Sequence, residues 1–281
     1  MIHVGVHVSI AGSIDKAVDR AQEKGCDTFQ IFSRNPRGWK IKPLSDEEAS
    51  RFVDKLEKSG IYPPVDHMPY LPNLAAPPGE VYDKSIEALT AELQRCGELQ
   101  IPYLVTHLGS HKGAGEEAGL HQIVSAINTA FSAVENSVML LLENTADTKN
   151  SMGGTFEHIR RIFDQIEQKD RIGICFDTCH AFVAGYELRT EASLEETLRH
   201  FDDVLGLEQL TLIHLNDAKG GLGSKLDRHE HIGLGYIGED GFRVILHDKR
   251  ITKRPIILET PVDDRRGDVE NLQKVRELAA H

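Results

Sequence analysis

The chain has 281 residues, a formal charge of −12, 40% hydrophobic residues and four cysteines. That length supports a large core, no apolar run approaches the roughly 20 residues of a membrane span, and no basic region precedes an apolar signal core. The expectation is a soluble, intracellular, cytoplasmic protein with no membrane partner and no structural disulfide, because Cys26, Cys96, Cys175 and Cys179 lack framework spacing. The acidic balance argues against a generic phosphate-coating protein, whose affinity comes from lysine and arginine releasing counterions. Divalent metals on carboxylates and histidines would reverse that sign locally, and there are 14 histidines.

In chain order, Ile2 to Val8 alternates as a strand, Ser13 to Lys24 carries a helical apolar face, and Thr28 to Phe32 is a second strand. The segment from Ser33 to Lys42 is the densest in basic residues and holds the single tryptophan, Trp39. Ser45-Asp46-Glu47-Glu48 has capping-box spacing and opens a helix to about Ser59. Val65-Asp66-His67 ends a third strand, Glu80 to Leu99 is helical, and Tyr103 to His107 is the fourth strand, followed by a helix around His121 to Val134. Val138 to Glu143 is the fifth strand, Thr155 to Gln168 its helix, and Ile172 to Asp177 the sixth. Ser193-Leu194-Glu195-Glu196 again has a capping-box pattern. Leu210 to Asn216 is strand seven, Pro255 to Glu259 strand eight, and a last helix runs from about Asp268 to Ala280.

Eight strand-then-helix units across residues 1–281, with no linker, predict one α/β domain. The architecture expected is a parallel (β/α)8 TIM barrel. A doubly wound open sheet is the alternative, but no Gly-x-Gly-x-x-Gly follows the first strand, and Gly12-Ser13 is too weak a signal for a nucleotide loop.

Six strand ends finish in a residue able to bind a metal: His67, His107, Glu143, Asp177, His214 and Glu259. A packed strand does not carry a buried charge or imidazole unless something pairs with it, and a barrel sets all six tips on its C-terminal face. His180, three residues past Asp177, joins them, as do Asp227 and His229, which emerge on one side of an extended loop. Taken singly, Asp177 reads as an N-cap aspartate and each histidine as a satisfied core group. As a set of nine they exceed one four-coordinate zinc and suit two or three ions. The roles of His7, His111 and His231 stay open, with His231 competing with His229. Imidazole and carboxylate ligation fits zinc, manganese or iron, and clustered metals suit phosphoester hydrolysis by a metal-activated hydroxide, with Glu143 or Glu259 bridging ions and orienting it.

The segments DHMPYLPNL (66–74), THLGSH (106–111), LLENTA (141–146), DTCHAFVAGY (177–186), HLNDAK (214–219), DRHEHIGLGYIG (227–238) and ILETP (257–261), with GVHVSIAGS near the start, cover nearly the whole chain in order. They resemble the endonuclease IV family of apurinic/apyrimidinic DNA endonucleases (AP endonuclease family 2). The resemblance implies a TIM barrel with three zinc ions per chain, manganese or iron being possible substitutes. It implies cleavage of the phosphodiester 5′ to an abasic site in duplex DNA, leaving a 3′-hydroxyl and a 5′-deoxyribose phosphate, with 3′-end cleaning besides. Position by position, it assigns His67 and His107 to one zinc, with Glu143 bridging to a second that Asp177, His214 and Glu259 complete. His180, Asp227 and His229 hold the third, and Glu143 and Glu259 are the catalytic carboxylates. It also implies loops that enter the minor groove and flip the abasic nucleotide. Arg37, Tyr70 and Leu71 match the inserting positions, and the enzyme is expected to act as a monomer. The chain departs from the usual pattern at Asp147 to Asn150 and around Arg34 to Trp39. Other readings are a sugar isomerase or epimerase on the same barrel, or a noncatalytic metal- or nucleic-acid-binding barrel. The set of His180, Asp227 and His229 discriminates against both.

Overall fold

The computed structural model describes residues 2–280. All eight expected strands form: β1 (Val4–Val6), β2 (Phe29–Ile31), β3 (Pro64–His67), β4 (Tyr103–His107), β5 (Met139–Glu143), β6 (Ile172–Asp177), β7 (Leu210–His214) and, last in the chain, β10 (Ile256–Leu258). Between β7 and β10 lies a small antiparallel pair, β8 (Asp217–Ala218) with β9 (His229–Glu230). The large sheet is parallel, in the order β1-β10-β7-β6-β5-β4-β3-β2. It closes where His7 bridges Gln30 in parallel and the Val8 N–H donates to the Gln30 carbonyl at 2.8 Å. A Cβ on Gly5 would lie 1.6 Å from the Thr28 carbonyl oxygen, so only glycine permits this approach of β1 to β2. Closure removes the open-sheet alternative.

Two apolar cores result. The larger lies between the strands and the surrounding helices. The smaller fills the barrel with Val65, Val105, Leu141, Cys175, Leu212 and Ile257, one from each of six strands. Helices present apolar stripes to the outer core; in Phe156–Phe163 the buried positions are Phe156, Ile159, Ile162 and Phe163.

β4 and β6 run as expected, while β1, β2, β5, β7 and β10 are shorter than their apolar patterns suggest, because backbone beyond the ladder turns out into the loops. The helix expected from His121 begins at Glu116, and the one expected to reach Gln168 ends at Phe163. The capping box at Ser45 forms with Glu48 as expected. The second is displaced: Thr190 is the N-cap and Ser193 its third-position partner, so the helix starts at Glu191. Helices Thr178–Ala184, Gly238–His247 and Lys249–Thr252 add to those expected. Among the described residues no helix is long and apolar enough to cross a membrane. The four cysteines are free and buried.

Candidate metal centre

Strand periodicity builds the site. Side chains two apart share a face, and each of the six barrel-filling residues is followed two positions later by one of the six strand-end residues. Val65 leads to His67, Val105 to His107, Leu141 to Glu143, Cys175 to Asp177, Leu212 to His214, and Ile257 to Glu259. The dry layer that fills the barrel is thus capped by a polar layer one step nearer the C-terminal mouth. His7 on the β1 side and Gln30 in β2 complete that layer, since Gln30 reaches His7, Glu259 and His214.

The nine residues form three groups whose ligand atoms lie within 4.8 Å of one another: His67, His107 and Glu143; Glu143, Asp177, His214 and Glu259; and His180, Asp227 and His229. Glu143 belongs to two. Its carboxylate is fully buried and lies 3.3 Å from His67 Nε2, 3.0 Å from His107 Nε2, 3.3 Å from His180 Nδ1 and 3.2 Å from His214 Nδ1. His180 Nε2 is 3.2 Å from Asp227 Oδ1, and His214 Nδ1 is 3.3 Å from Glu259 Oε2. Ligand atoms around a tetrahedral ion with bonds of about 2.0–2.1 Å are separated by about 3.3 Å, so the donor spacing fits divalent metal.

The imidazoles are already oriented for that role. A carbonyl oxygen only accepts, so the ring nitrogen facing it carries the proton. His67 Nδ1 donates to the Met68 carbonyl at 2.7 Å, His180 Nδ1 to that of Asn144 at 2.9 Å, and His229 Nδ1 to that of Glu259 at 3.1 Å. Gln30 does the same through its amide: Nε2 donates to Glu259 at 2.6 Å and Oε1 accepts from His214 Nε2 at 2.9 Å. Each of these four rings keeps its second nitrogen for the cluster, the arrangement that fixes tautomers around bound metals.

Electrostatics agree. Burial would raise Glu143, but His107 and His214 outweigh it and hold the carboxyl well below the usual range. Glu259 falls to about 2, burial being overcome by His214 and His67. Asp227 also falls to about 2, chiefly through its hydrogen bond to His180. His180 is pushed well up, burial being outweighed by Asp177, Asp227 and Glu143. In the absence of a cation the carboxylates thus draw protons onto imidazole, and metal binding would release them. His7 goes the other way, down to about 4 through burial, and as a neutral ring it accepts from Gln30 at 3.1 Å.

Asp177 combines the two roles that its sequence left open. Oδ1 accepts the His180 N–H at 2.7 Å as the N-cap of helix Thr178–Ala184, while Oδ2 accepts from Asn216 at 2.7 Å and faces His229 Nε2 at 3.7 Å. The Cys179 sulfur also lies within reach of Asp177 and His229. Burial pushes its thiol up, which leaves it a neutral neighbour.

The mouth opens into a cavity of about 610 Å³ walled by His7, Phe32, Tyr70, Arg228 and Val262 as well as the cluster. Tyr70 lines the cavity and packs edge-on against Phe32 at 5.0 Å, and the adjacent Leu71 is exposed. Arg37 is exposed on the neighbouring loop, tied to the first by the Tyr70 N–H donating to the Pro36 carbonyl at 3.3 Å. A buried ionic network holds that loop. Arg34 pairs with Glu92 and donates to the Gly38 carbonyl at 2.9 Å; Arg95 donates to the carbonyls of Ser33 at 2.6 Å and Lys42 at 3.1 Å. Asp66 accepts the Ser33 N–H at 2.9 Å and is raised by burial and by Glu92. Trp39 packs against the outer core.

Of the histidines left open, His111 accepts the Gly113 and Gly115 N–H groups and shapes a turn. His231 is buried between Asp263 and Asn271. Gln30, Asn144 and Asn216 were missed by strand-end reasoning, because a neutral amide in or beside an apolar run carries no electrostatic signature.

The class of the chain follows from its closed parallel barrel with donors at the strand tips. The profile of the xylose isomerase-like TIM barrel family matches residues 18–281. Solved D-tagatose 3-epimerase-like protein shares this fold, with a TM-score of 0.71 and 19% identity over 98% of each chain. Sequence narrows the class. The chain is 61% identical to the probable endonuclease 4 of Methanoculleus marisnigri and 52% identical to that of Nitrosopumilus maritimus, covering 99% of this chain in both and 99% and 100% of theirs. It superposes on endonuclease IV from Thermus thermophilus with a TM-score of 0.87, at 36% identity over 99% of each chain. The chain belongs to the endonuclease IV family.

Proposed function

We propose that the chain is a DNA-repair phosphodiesterase that hydrolyses the phosphodiester 5′ to an abasic site in duplex DNA. The products are a 3′-hydroxyl and a 5′-deoxyribose phosphate, and the same site trims blocked 3′ ends. The observation that carries the reading is the sharing of Glu143 between two donor groups while a third group, His180, Asp227 and His229, stands beside them. A sugar epimerase on this barrel has no use for the third group, and a noncatalytic barrel has none for a shared carboxylate.

Zinc ions in these three groups, or manganese or iron in their place, would supply Lewis acidity toward a phosphate and lower the pKa of water. The chain's residues do the rest. Glu143 and Glu259 are the carboxylates that orient the attacking water, with Glu259 steadied by Gln30. Arg37, Tyr70 and Leu71 engage the duplex and hold the abasic nucleotide out of the stack. The nine donors fall together within one barrel, and the reading takes that barrel to act as a monomer.

The test is incubation of zinc-loaded protein with a labelled duplex containing one tetrahydrofuran site. A single nick on its 5′ side is expected. An intact duplex after prolonged incubation would sink the proposal, and one metal ion per chain would sink the three-ion model.

A further inference from the structure

The motif HLNDAK contains one carboxylate, and no metal group uses it. Asp217 lies three residues beyond His214 and is fully buried. Its side chain accepts five backbone N–H groups. Oδ1 takes those of Ala218 at 2.8 Å and Ile237 at 2.9 Å; Oδ2 takes Gly233 at 3.0 Å, Gly235 at 2.9 Å and Gly238 at 3.3 Å. Four of the five belong to the glycine-rich segment after His229. The fit excludes larger residues, since a Cβ on Gly235 would lie 2.5 Å from Asp217 Oδ1. The backbone beside Asp217 grips the start of the same segment: Ala218 pairs with His229 across the β8–β9 ladder, and the Lys219 N–H donates to the Arg228 carbonyl at 2.9 Å.

Five of the nine donors stand on barrel strands, Glu259 directly follows β10 and His180 sits on a capped helix, but Asp227 comes from a loop and His229 from the two-residue strand β9 at its end. That segment is held by the two-residue ladder and then by the Asp217 cradle, with Arg265 on Glu230 and Asn271 on His231 and Ile232 pinning the residues between them. We propose that Asp217 is a positioning residue that holds Asp227 and His229 in register with His180, and so sets the affinity of the third group for its metal. The proposal rests on the reading of those three residues as metal donors.

Asp217→Asn keeps the shape of the side chain but turns one acceptor into a donor. In either orientation its NH2 then faces at least two backbone N–H groups, so the cradle opens without creating a cavity. Removing a direct outer partner of a metal ligand weakens metal affinity about 10–100-fold, and Asp217, which acts through the backbone of the segment, is expected to reach up to that range. The experiment titrates full-length zinc-reconstituted protein against a chromophoric chelator, with metal content counted by mass spectrometry, for wild type, D217N, H229A and the double variant. D217N is expected to weaken one ion by up to about 10–100-fold and leave the others unchanged. H229A should lose that same ion, the double variant should match H229A, and raised free zinc should refill the site in D217N but not in H229A. Should D217N fail to fold, by circular dichroism, Gly235→Ala attacks the cradle from its other side and must give the same selective loss. Wild-type affinity for every ion in the folded variant overturns the positioning role. If H229A itself removes no ion, the metal reading beneath the proposal falls with it.

Discussion

Glu92→Gln tests how the Arg37 loop is held. Arg34 and Glu92 are both buried, at 5% and 0% side-chain exposure, and one Arg34 nitrogen already lacks a partner. Neutralising Glu92 leaves a guanidinium without its counter-ion, a change that costs about 3–5 kcal/mol for buried pairs. At about 2.1 cal/mol/K per residue, unfolding 281 residues carries about 0.6 kcal/mol/K, so the melting temperature should fall by about 5–8 °C. Burial and Glu92 together push the Asp66 carboxyl up. Once Glu92 is neutral, Asp66 ionises more readily and partly replaces the lost charge, so the deficit should shrink as pH rises. The loop carbonyl of Gly38 hangs on Arg34; if Arg37 then loses one charge-assisted contact to DNA, worth about 1.5–3 kcal/mol, binding to an abasic duplex weakens roughly 10–150-fold. Arg34→Met with Glu92→Met separates the two effects. Apolar replacement of both partners of a buried pair is often neutral or stabilising, so melting recovers while binding does not. Thermal melts across pH with fluorescence anisotropy on the same duplex read both. A single variant melting within about 1 °C of wild type, or a double variant that regains DNA binding, refutes the reasoning.

Replacing Glu143 with Gln removes the charge shared by two donor groups; metal content should drop by at least one ion and cleavage by about 100-fold or more, and an unaltered metal count would contradict this. Tyr70→Ala with Leu71→Ala should weaken binding to damaged duplex while metal content stays constant, as measured by anisotropy and mass spectrometry. Each ion held at a free concentration about 1,000 times its Kd adds about 4 kcal/mol, so stripping one with a chelator should lower the melting temperature by about 7 °C, reversibly on adding zinc. Asp66→Asn keeps the oxygen that accepts from Ser33 and His67. Because burial and Glu92 raise the native Asp66 carboxyl, wild-type stability falls as pH climbs above the ordinary value of about 4; the variant should gain on wild type over that range in denaturant titrations, and parallel pH profiles would count against it.

The convergence of the six strand-end side chains was legible because a carboxylate or imidazole ending an apolar run is costly unless something uses it, and parallel strands in a barrel send every such tip to one face. That Asp177 fills both of its offered roles at once needed the structure, since one oxygen caps a helix and the other faces the cluster. Gln30 was illegible for a different reason: its partners Glu259 and His214 lie 229 and 184 residues away, and only closure of the barrel brings them together. The displaced capping box at Thr190 shows the limit of local spacing, as Ser193 satisfies the same pattern from the third position instead of the first.

The fixed interval of two residues between each barrel-filling side chain and the donor above it has a bearing on how such a site can change over time. One residue inserted between Leu141 and Glu143 would turn the shared carboxylate outward to the helices, as any shift by one does in a strand. Substitution is the gentler route, because the polar layer rests on a dry layer whose packing does not depend on it. A lineage can therefore exchange chemistry at the mouth residue by residue, while length changes are confined to the loops, and the third group, two of whose three members lie outside the barrel strands on the excursion after β7, is the part most open to gain or loss.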